Sequence, residues 1–188
     1  MTVIGLDFDG VLADFYFKLR YEIGKHYNIQ FDFNDIYHQD IRNLFCISEK
    51  EYKVLMNSVI NTNDHFPIIS GALRGFNYLK SRGYNINIIT ARHTVISAQK
   101  WLEENGFGDD ISIYSTSKDN IPEVDYFLDD SPRKIANLIS YIKQKAFLLS
   151  SIYNRNAFDL KNRYIRVSNW DNFIIELEKH IIDRVYIC

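Results

Sequence analysis

Short runs rich in β-branched and aromatic residues alternate with helical periodicity along most of this chain, and that alternation limits the fold more than any other feature. Residues 3–8 (Val-Ile-Gly-Leu-Asp-Phe) read as a buried strand, as do 85–90 (Asn-Ile-Asn-Ile-Ile-Thr), 111–114 and 126–128, with shorter strands at 146–149 and 164–167. Between them, Ala72, Leu73, Phe76 and Leu79 share a helical face that stops at Gly83. Ile135, Leu138, Ile139 and Ile142 repeat at i, i+3, i+4 and i+7 behind an N-cap Ser131 and a first-turn Pro132. Residues 171–184 close the chain as a helix, with Trp170 and Phe173 as its anchors in the core. Strands separated by helices form a parallel sheet, and such a sheet needs helices on both faces.

One stretch breaks the rhythm. From about Phe15 to Pro67 no strand is legible, only helical spacing: Leu19, Ile23 and Tyr27, then a Ser48/Glu51 capping box ahead of Tyr52, Leu55, Met56 and Val59. A helical insertion after the first strand is expected there, beside the strand's carboxyl end, where open α/β sheets bind ligands. At 188 residues the chain has room for one domain and such an insertion. The net charge of −2 gives no footprint for nucleic acid, and no apolar run reaches the ~20 residues of a membrane span. Two cysteines, Cys46 and Cys188, cannot build a disulfide framework, and His26, His38, His65, His93 and His180 lack zinc-ligand spacing. Asp7 interrupts the amino-terminal apolar run too early for a signal-peptide core. The expectation is a soluble, cytoplasmic chain.

The chemistry gathers at strand ends. The first strand leads into Asp7-Phe8-Asp9-Gly10, whose carboxylates at i and i+2 point the same way from an extended chain, and the fourth ends in Leu128-Asp129-Asp130. Asp-x-Asp-Gly arises by chance only ~0.06 times in a chain of this composition, so position must add to the motif. Asp109-Asp110 is a useful contrast, because it precedes a strand and reads as surface. Parallel strands bring their carboxyl ends to one side, so Asp7, Asp9, Asp129 and Asp130 are expected to converge. Crowded carboxylates are pushed toward protonation unless a hard cation relieves them. Thr90 and Ala91, followed by Arg92, can offer a hydroxyl and backbone N–H groups to phosphate oxygens, and Lys118 can neutralise both phosphate and aspartates.

The residues 7–14 (Asp-Phe-Asp-Gly-Val-Leu-Ala-Asp), Ile89-Thr90-Ala91-Arg92, Lys118 and Asp129-Asp130 together resemble the four ordered motifs of the haloacid dehalogenase superfamily of phosphohydrolases. The inserted segment and the run from Pro67 to Arg92 resemble its 5′(3′)-deoxyribonucleotidase-like branch. Tyr153-Asn154-Arg155 is similar to a loop in bacterial members, with Ile152 where proline is common. Leu128 stands where many superfamily members carry glycine. The resemblance implies an α/β fold: a Rossmann-like parallel sheet flanked by helices, with a small helical cap inserted after the first strand. The core would comprise 1–14 and 68–188, and the cap 15–67.

It also implies roles. Asp7 is the nucleophile that forms an aspartyl-phosphate, and Asp9 is the general acid and base. Thr90, Ala91 and Lys118 hold the phosphoryl group. Mg²⁺ sits on Asp7, the Asp9 backbone carbonyl and Asp129, with Asp130 close by or in an outer position. The expected activity is phosphomonoester hydrolysis, with a nucleoside monophosphate as substrate. A sugar phosphate, another small phosphometabolite, or simple phosphate or nucleotide binding on the same fold stay open. A polynucleotide end is disfavoured, since no basic stripe is present to hold a strand. For the leaving group, the insertion offers Tyr16, Phe17, Tyr37, Phe45 and Phe66.

Overall fold

The computed structural model of the chain describes residues 1–28, 42, 46–61, 66–118, 120–157 and 163–187. β1 (Val3–Leu6) is followed by helices α1 (Phe15–Tyr27), α2 (Glu49–Asn61) and α3 (Ala72–Ser81). Then come β2 (Asn85–Thr90), α4 (Ile96–Glu104), β3 (Ser112–Ser115), β4 (Val124–Asp129), α5 (Pro132–Leu138), β5 (Ile142–Leu149), β6 (Tyr164–Val167) and α6 (Trp170–Ile187). The six strands form one parallel sheet in the order β3-β2-β1-β4-β5-β6. The chain winds outward from β1 in one direction and then, from β4, in the other. Its topological switch point therefore lies between β1 and β4, where open α/β sheets bind ligands.

Sheet alternation sorts the core. Ile4, Leu6, Ile88, Tyr126, Leu128, Phe147 and Val167 point to one face, covered by Phe76 and Leu79 of α3, Ala98, Trp101 and Leu102 of α4, and Trp170, Phe173 and Leu177 of α6. The opposite face (Ile89, Val124, Phe127, Ala146, Leu148) packs against Ile135 and Leu138 of α5. α3 and α6 meet closely because position 75 is glycine: a Cβ there would lie 2.3 Å from the Trp170 ring. The Trp170 indole N–H donates to the Val11 carbonyl at 2.9 Å, pinning α6 to the loop after β1.

The helical periodicity through Ile142 overruns the helix. α5 ends at Leu138, a 3₁₀ turn spans Ile139–Tyr141, and Ile142 already pairs with Val124 as the first residue of β5. Ile139 and Ile142 extend an apolar row by coincidence, and a short apolar run that begins a strand is indistinguishable from another helical turn. Ser131 does cap α5, its Oγ accepting from the Lys134 N–H at 3.3 Å.

Residues 12–14 and 67–69, on either side of the expected insertion, meet beside β1. The Asp14 N–H donates to the Pro67 carbonyl and the Ile69 N–H to the Leu12 carbonyl, each at 2.8 Å, with Ala13 bridged to Ile68. Asp14 caps α1, accepting from the Phe17 N–H at 3.0 Å. The Ser48/Glu51 capping box forms as read, with the Ser48 N–H donating to Glu51 Oε2 at 2.8 Å and the Glu51 N–H to Ser48 Oγ at 3.3 Å. Leu19 and Ile23 of α1 are buried with Leu55 and Val59 of α2. Among the described residues, no helix is long and apolar enough to cross a membrane.

Candidate active site

Register places the acidic residues. Leu6 lies opposite both Ile88 and Leu128, so the next residue of each strand reaches the same sheet edge. The Asp7 N–H donates to the Leu128 carbonyl at 2.9 Å, which continues the ladder by one step and sets Asp7 beside Asp129. After Asp7 the backbone turns sharply: the Phe8 carbonyl accepts from both the Leu12 and Ala13 N–H groups at 3.0 Å. Gly10 is demanded twice in this turn. Its φ is +82°, and a Cβ would lie 1.8 Å from Asp130 Oδ2. The glycine of the Asp-x-Asp-Gly motif is thus the space that the second aspartate of the other motif fills.

Asp7, Asp129 and Asp130 are all buried, and each offers a carboxylate oxygen within 4.8 Å of the others. Asp7 Oδ1 accepts from the Phe8 N–H at 2.7 Å and from Lys134 Nζ at 2.5 Å. Asp129 Oδ1 accepts from the Ser131 N–H at 2.7 Å, while Oδ2 lies 3.2 Å from Lys134 Nζ. The Asp130 carbonyl is held by the Tyr153 hydroxyl at 2.7 Å and the Asn154 amide at 2.8 Å. Tyr153-Asn154 therefore acts on the backbone of the acidic pair.

Burial pushes the Asp7 carboxyl up to about 8, with Asp129 adding to it and Lys134 opposing it. Asp129 and Asp130 are raised for the same first reason, and Asp130 is raised further by its two acidic neighbours. Burial alone would lower Lys134, but Asp129 and Asp7 outweigh it and hold the ammonium above its ordinary value. Tyr16 and Tyr153, whose tilted rings meet at 4.6 Å, are raised by burial and by Asp130 and stay neutral.

The other expected site residues divide. Thr90 is buried at the end of β2, its Oγ1 accepting from the Arg92 N–H at 3.2 Å, and Ala91 lines the site cavity. Asp9 stands on the same wall and is gripped by Arg92. Lys118 is not brought to the aspartates. It is exposed in the turn after β3, where its N–H donates to the Ser115 carbonyl at 3.2 Å. The lysine at the cluster is Lys134, which also donates to the Ile89 carbonyl at 2.6 Å. Sequence order misled here, since a lysine before the acidic pair and one five residues after Asp129 are both compatible with the topology. The signal for Lys134 was a cation in the first turn of a helix, where the helix dipole disfavours it unless anions face it.

Above the cluster opens a cavity of about 610 Å³. α5 and the turn after it contribute Arg133, Asn137 and Tyr141, while the inserted segment contributes Phe15, Tyr16, Met56 and Ile60. Of the inserted aromatics, Phe17 is exposed, Phe66 is buried against Arg92, and Tyr37 and Phe45 lie outside the described residues. His93 is exposed and pairs with the Ser117 hydroxyl at 3.0 Å, and Asp110 meets Lys80 on the surface.

A family model matches residues 1–181: the 5′ nucleotidase, deoxy (pyrimidine), cytosolic type C protein family, NT5C. The chain belongs to the NT5C family. Similar solved structures carry the wider fold. A protein described as a predicted phosphoglycolate phosphatase from Haemophilus somnus 129PT aligns at a TM-score of 0.62 and 16% identity, covering 94% of this chain and 98% of that one. A HAD hydrolase, family IA, variant 3 from Entamoeba histolytica aligns at 0.58 and 15%, covering 94% and 96%. A HAD-superfamily hydrolase from Ehrlichia chaffeensis aligns at 0.58 and 12%, covering 96% and 99%. No curated protein matches the chain by sequence.

Membership makes this chain a phosphatase of nucleotidase type on a Rossmann-like HAD fold. Its donor set suits a hard divalent cation. Asp7, Asp129 and Asp130 bring three carboxylates together against, among the described residues, one ion-paired ammonium, Lys134, so when ionised they carry more negative charge than it offsets. Oxygen ligands and that excess match Mg²⁺.

Proposed function

We propose that this NT5C member is a Mg²⁺-dependent phosphomonoesterase that works through an aspartyl-phosphate and acts on nucleoside monophosphates. The observation that carries the reading is the buried trio Asp7, Asp129 and Asp130, with Lys134 among them, at the floor of a cavity large enough for such a substrate. Asp7, Asp129, Asp130 and the Asp9 backbone carbonyl would hold the cation. When bound, Mg²⁺ supplies the positive charge that lets an anionic carboxylate approach an anionic phosphate.

The chain's own residues perform the rest. An Asp7 carboxylate oxygen attacks phosphorus while the bond from phosphorus to the ester oxygen breaks, and Asp9 delivers a proton to that oxygen. Asp9 then takes a proton from water as it attacks the aspartyl-phosphate, freeing inorganic phosphate and restoring Asp7. Lys134 and the Thr90 hydroxyl, with the backbone at Ala91, hold phosphoryl oxygens and offset the charge that builds in each transition state. Lys134 already bridges Asp7 and the end of β2, which supports giving it the role expected of Lys118. Residues 15–67 form a cap over the core of 1–14 and 68–188, and supply part of the leaving-group wall. The cellular setting proposed is cytoplasmic.

Phosphate release from a panel of phosphomonoesters tests this reading. Wild type releases phosphate from nucleoside 5′-monophosphates with Mg²⁺ and not with chelator, while Asp7→Asn keeps less than about a hundredth of kcat. Turnover in chelator, or an Asp7→Asn variant with more than about a tenth of wild-type kcat, overturns the mechanism.

A further inference from the structure

Asp9 is a short carboxylate on the cavity wall, with about a quarter of its side chain exposed, yet both of its oxygens are held. Arg92 takes both of its oxygens in a fork: Nε donates to Oδ2 at 2.8 Å and Nη2 to Oδ1 at 2.7 Å. The guanidinium is itself immobilised. Its side chain is 3% exposed, Nη1 donates to Ser97 Oγ at 3.3 Å, and its carbon lies 4.7 Å from the Phe8 ring centre and 4.9 Å from that of Phe66. The backbone of Arg92 is fixed on both sides, its N–H donating to Thr90 Oγ1 at 3.2 Å and its carbonyl accepting from Ser115 Oγ at 2.7 Å.

We infer that Arg92 is a positioning residue that orients Asp9 for proton transfer, and that Phe66 couples this orientation to the seating of the inserted segment. The inference rests on the phosphatase mechanism above and deepens it. A carboxylate has about four lone-pair sites, and a guanidinium fork occupies one on each oxygen. The remaining two, one on each oxygen, point to the flanks of the carboxylate, so the fork decides the directions in which Asp9 can carry a proton into the cavity. A lysine keeps the charge but presents one ammonium in place of two parallel N–H bonds, and it leaves the carboxylate free to rotate. Phe66 sits at the returning end of the insertion, its carbonyl accepting from the Trp101 indole N–H at 3.0 Å, while its ring packs on the guanidinium. Phe66 thereby presses on the group that aims the acid.

Leaving-group dependence separates positioning from a structural role or a direct phosphate contact. Expulsion of an alkoxide needs a proton, whereas p-nitrophenolate departs without one. Wild type, Arg92→Lys and Phe66→Leu are assayed with Mg²⁺ on a nucleoside 5′-monophosphate and on p-nitrophenyl phosphate. kcat/KM, which reports formation of the phospho-enzyme, falls about 100-fold for Arg92→Lys on the nucleotide and by less than about tenfold on the aryl ester. On the aryl ester, kcat falls more than kcat/KM, because attack by water still needs Asp9, so KM drops and a burst of p-nitrophenolate precedes the steady state. Phe66→Leu shows the same asymmetry at a several-fold level, and it carries the test alone if Arg92→Lys does not fold. An equal loss of kcat/KM on both esters, in a wild-type background that hydrolyses both, overturns this inference and leaves the phosphatase reading standing. A wild type that hydrolyses neither ester overturns both.

Discussion

At the scale of single residues, the site depends on which lysine faces the aspartates. Lys134 Nζ lies within ion-pair distance of Asp7 and Asp129, and Lys118 is exposed. Lys134→Met is expected to cost at least about 100-fold in kcat, the scale of losing one donor to a developing oxyanion. Lys118→Met should change kcat less than about twofold, as an exposed substitution does when it touches nothing buried. Steady-state kinetics on the two variants decide the assignment, and a reversed pattern returns the role to Lys118.

The carboxylates also set a pH dependence whose sign can be worked out. Burial raises Asp7 to about 8, against an unfolded value near its ordinary one. Between those values the folded protein binds more protons than the unfolded chain, so without metal this group's contribution to stability falls as pH rises through the window. Mg²⁺ competes with the same protons. The rise in Tm on adding Mg²⁺ should therefore grow from pH 5.5 to pH 8.0, by differential scanning fluorimetry, and shrink in Asp129→Ala. A Mg²⁺ shift that is flat with pH, or unchanged in Asp129→Ala, places the cation elsewhere.

At the scale of elements, legibility followed how local each signal was. The β2 and β6 spans, the Ser48/Glu51 capping box and the Ser131-Pro132 helix start were readable because residues within one turn settle them. The end of α5 was not, since pairing of Ile142 with Val124 across the sheet overrode a helical pattern that ran on past Leu138. The closeness of α3 and α6 was equally hidden: Gly75 reads as a weak helix residue until Trp170 is seen against it. Gly75→Ala should destabilise by about 1–3 kcal/mol through overpacking. Thermal unfolding should show a fall of about 2–4 °C per kcal/mol at this chain length, with kcat nearly unaffected. A neutral or stabilising effect would mean that α6 can shift to accept the methyl group and that the contact is looser than its geometry.

At the scale of the whole molecule, the aspartates were legible because parallel topology alone carries strand ends to one edge, and Asp7 and Asp129 needed nothing more. The leaving-group wall was not. It draws Met56 and Ile60 from α2 and Asn137 and Tyr141 from α5 and the turn after it, elements far apart in sequence that no local pattern brings together. The sequence pointed to aromatics of the insertion, yet Phe17 is exposed and Phe66 packs on Arg92, leaving Phe15 and Tyr16 as its described aromatics at the cavity. A flat leaving group would therefore meet Phe15, Tyr16, Met56 and Ile60 of the insertion on one side and Tyr141 of the core on the other. Burying its apolar faces there is expected to contribute about 1.4 kcal/mol to transition-state binding, or about tenfold in kcat/KM for a nucleoside monophosphate over a small sugar phosphate. Because the wall has two sides, Ile60→Ala and Tyr141→Ala should each reduce that ratio, and their combination should bring it close to unity. A ratio of one in the wild type, or a preference that survives the double substitution, would remove this cavity as the source of substrate choice.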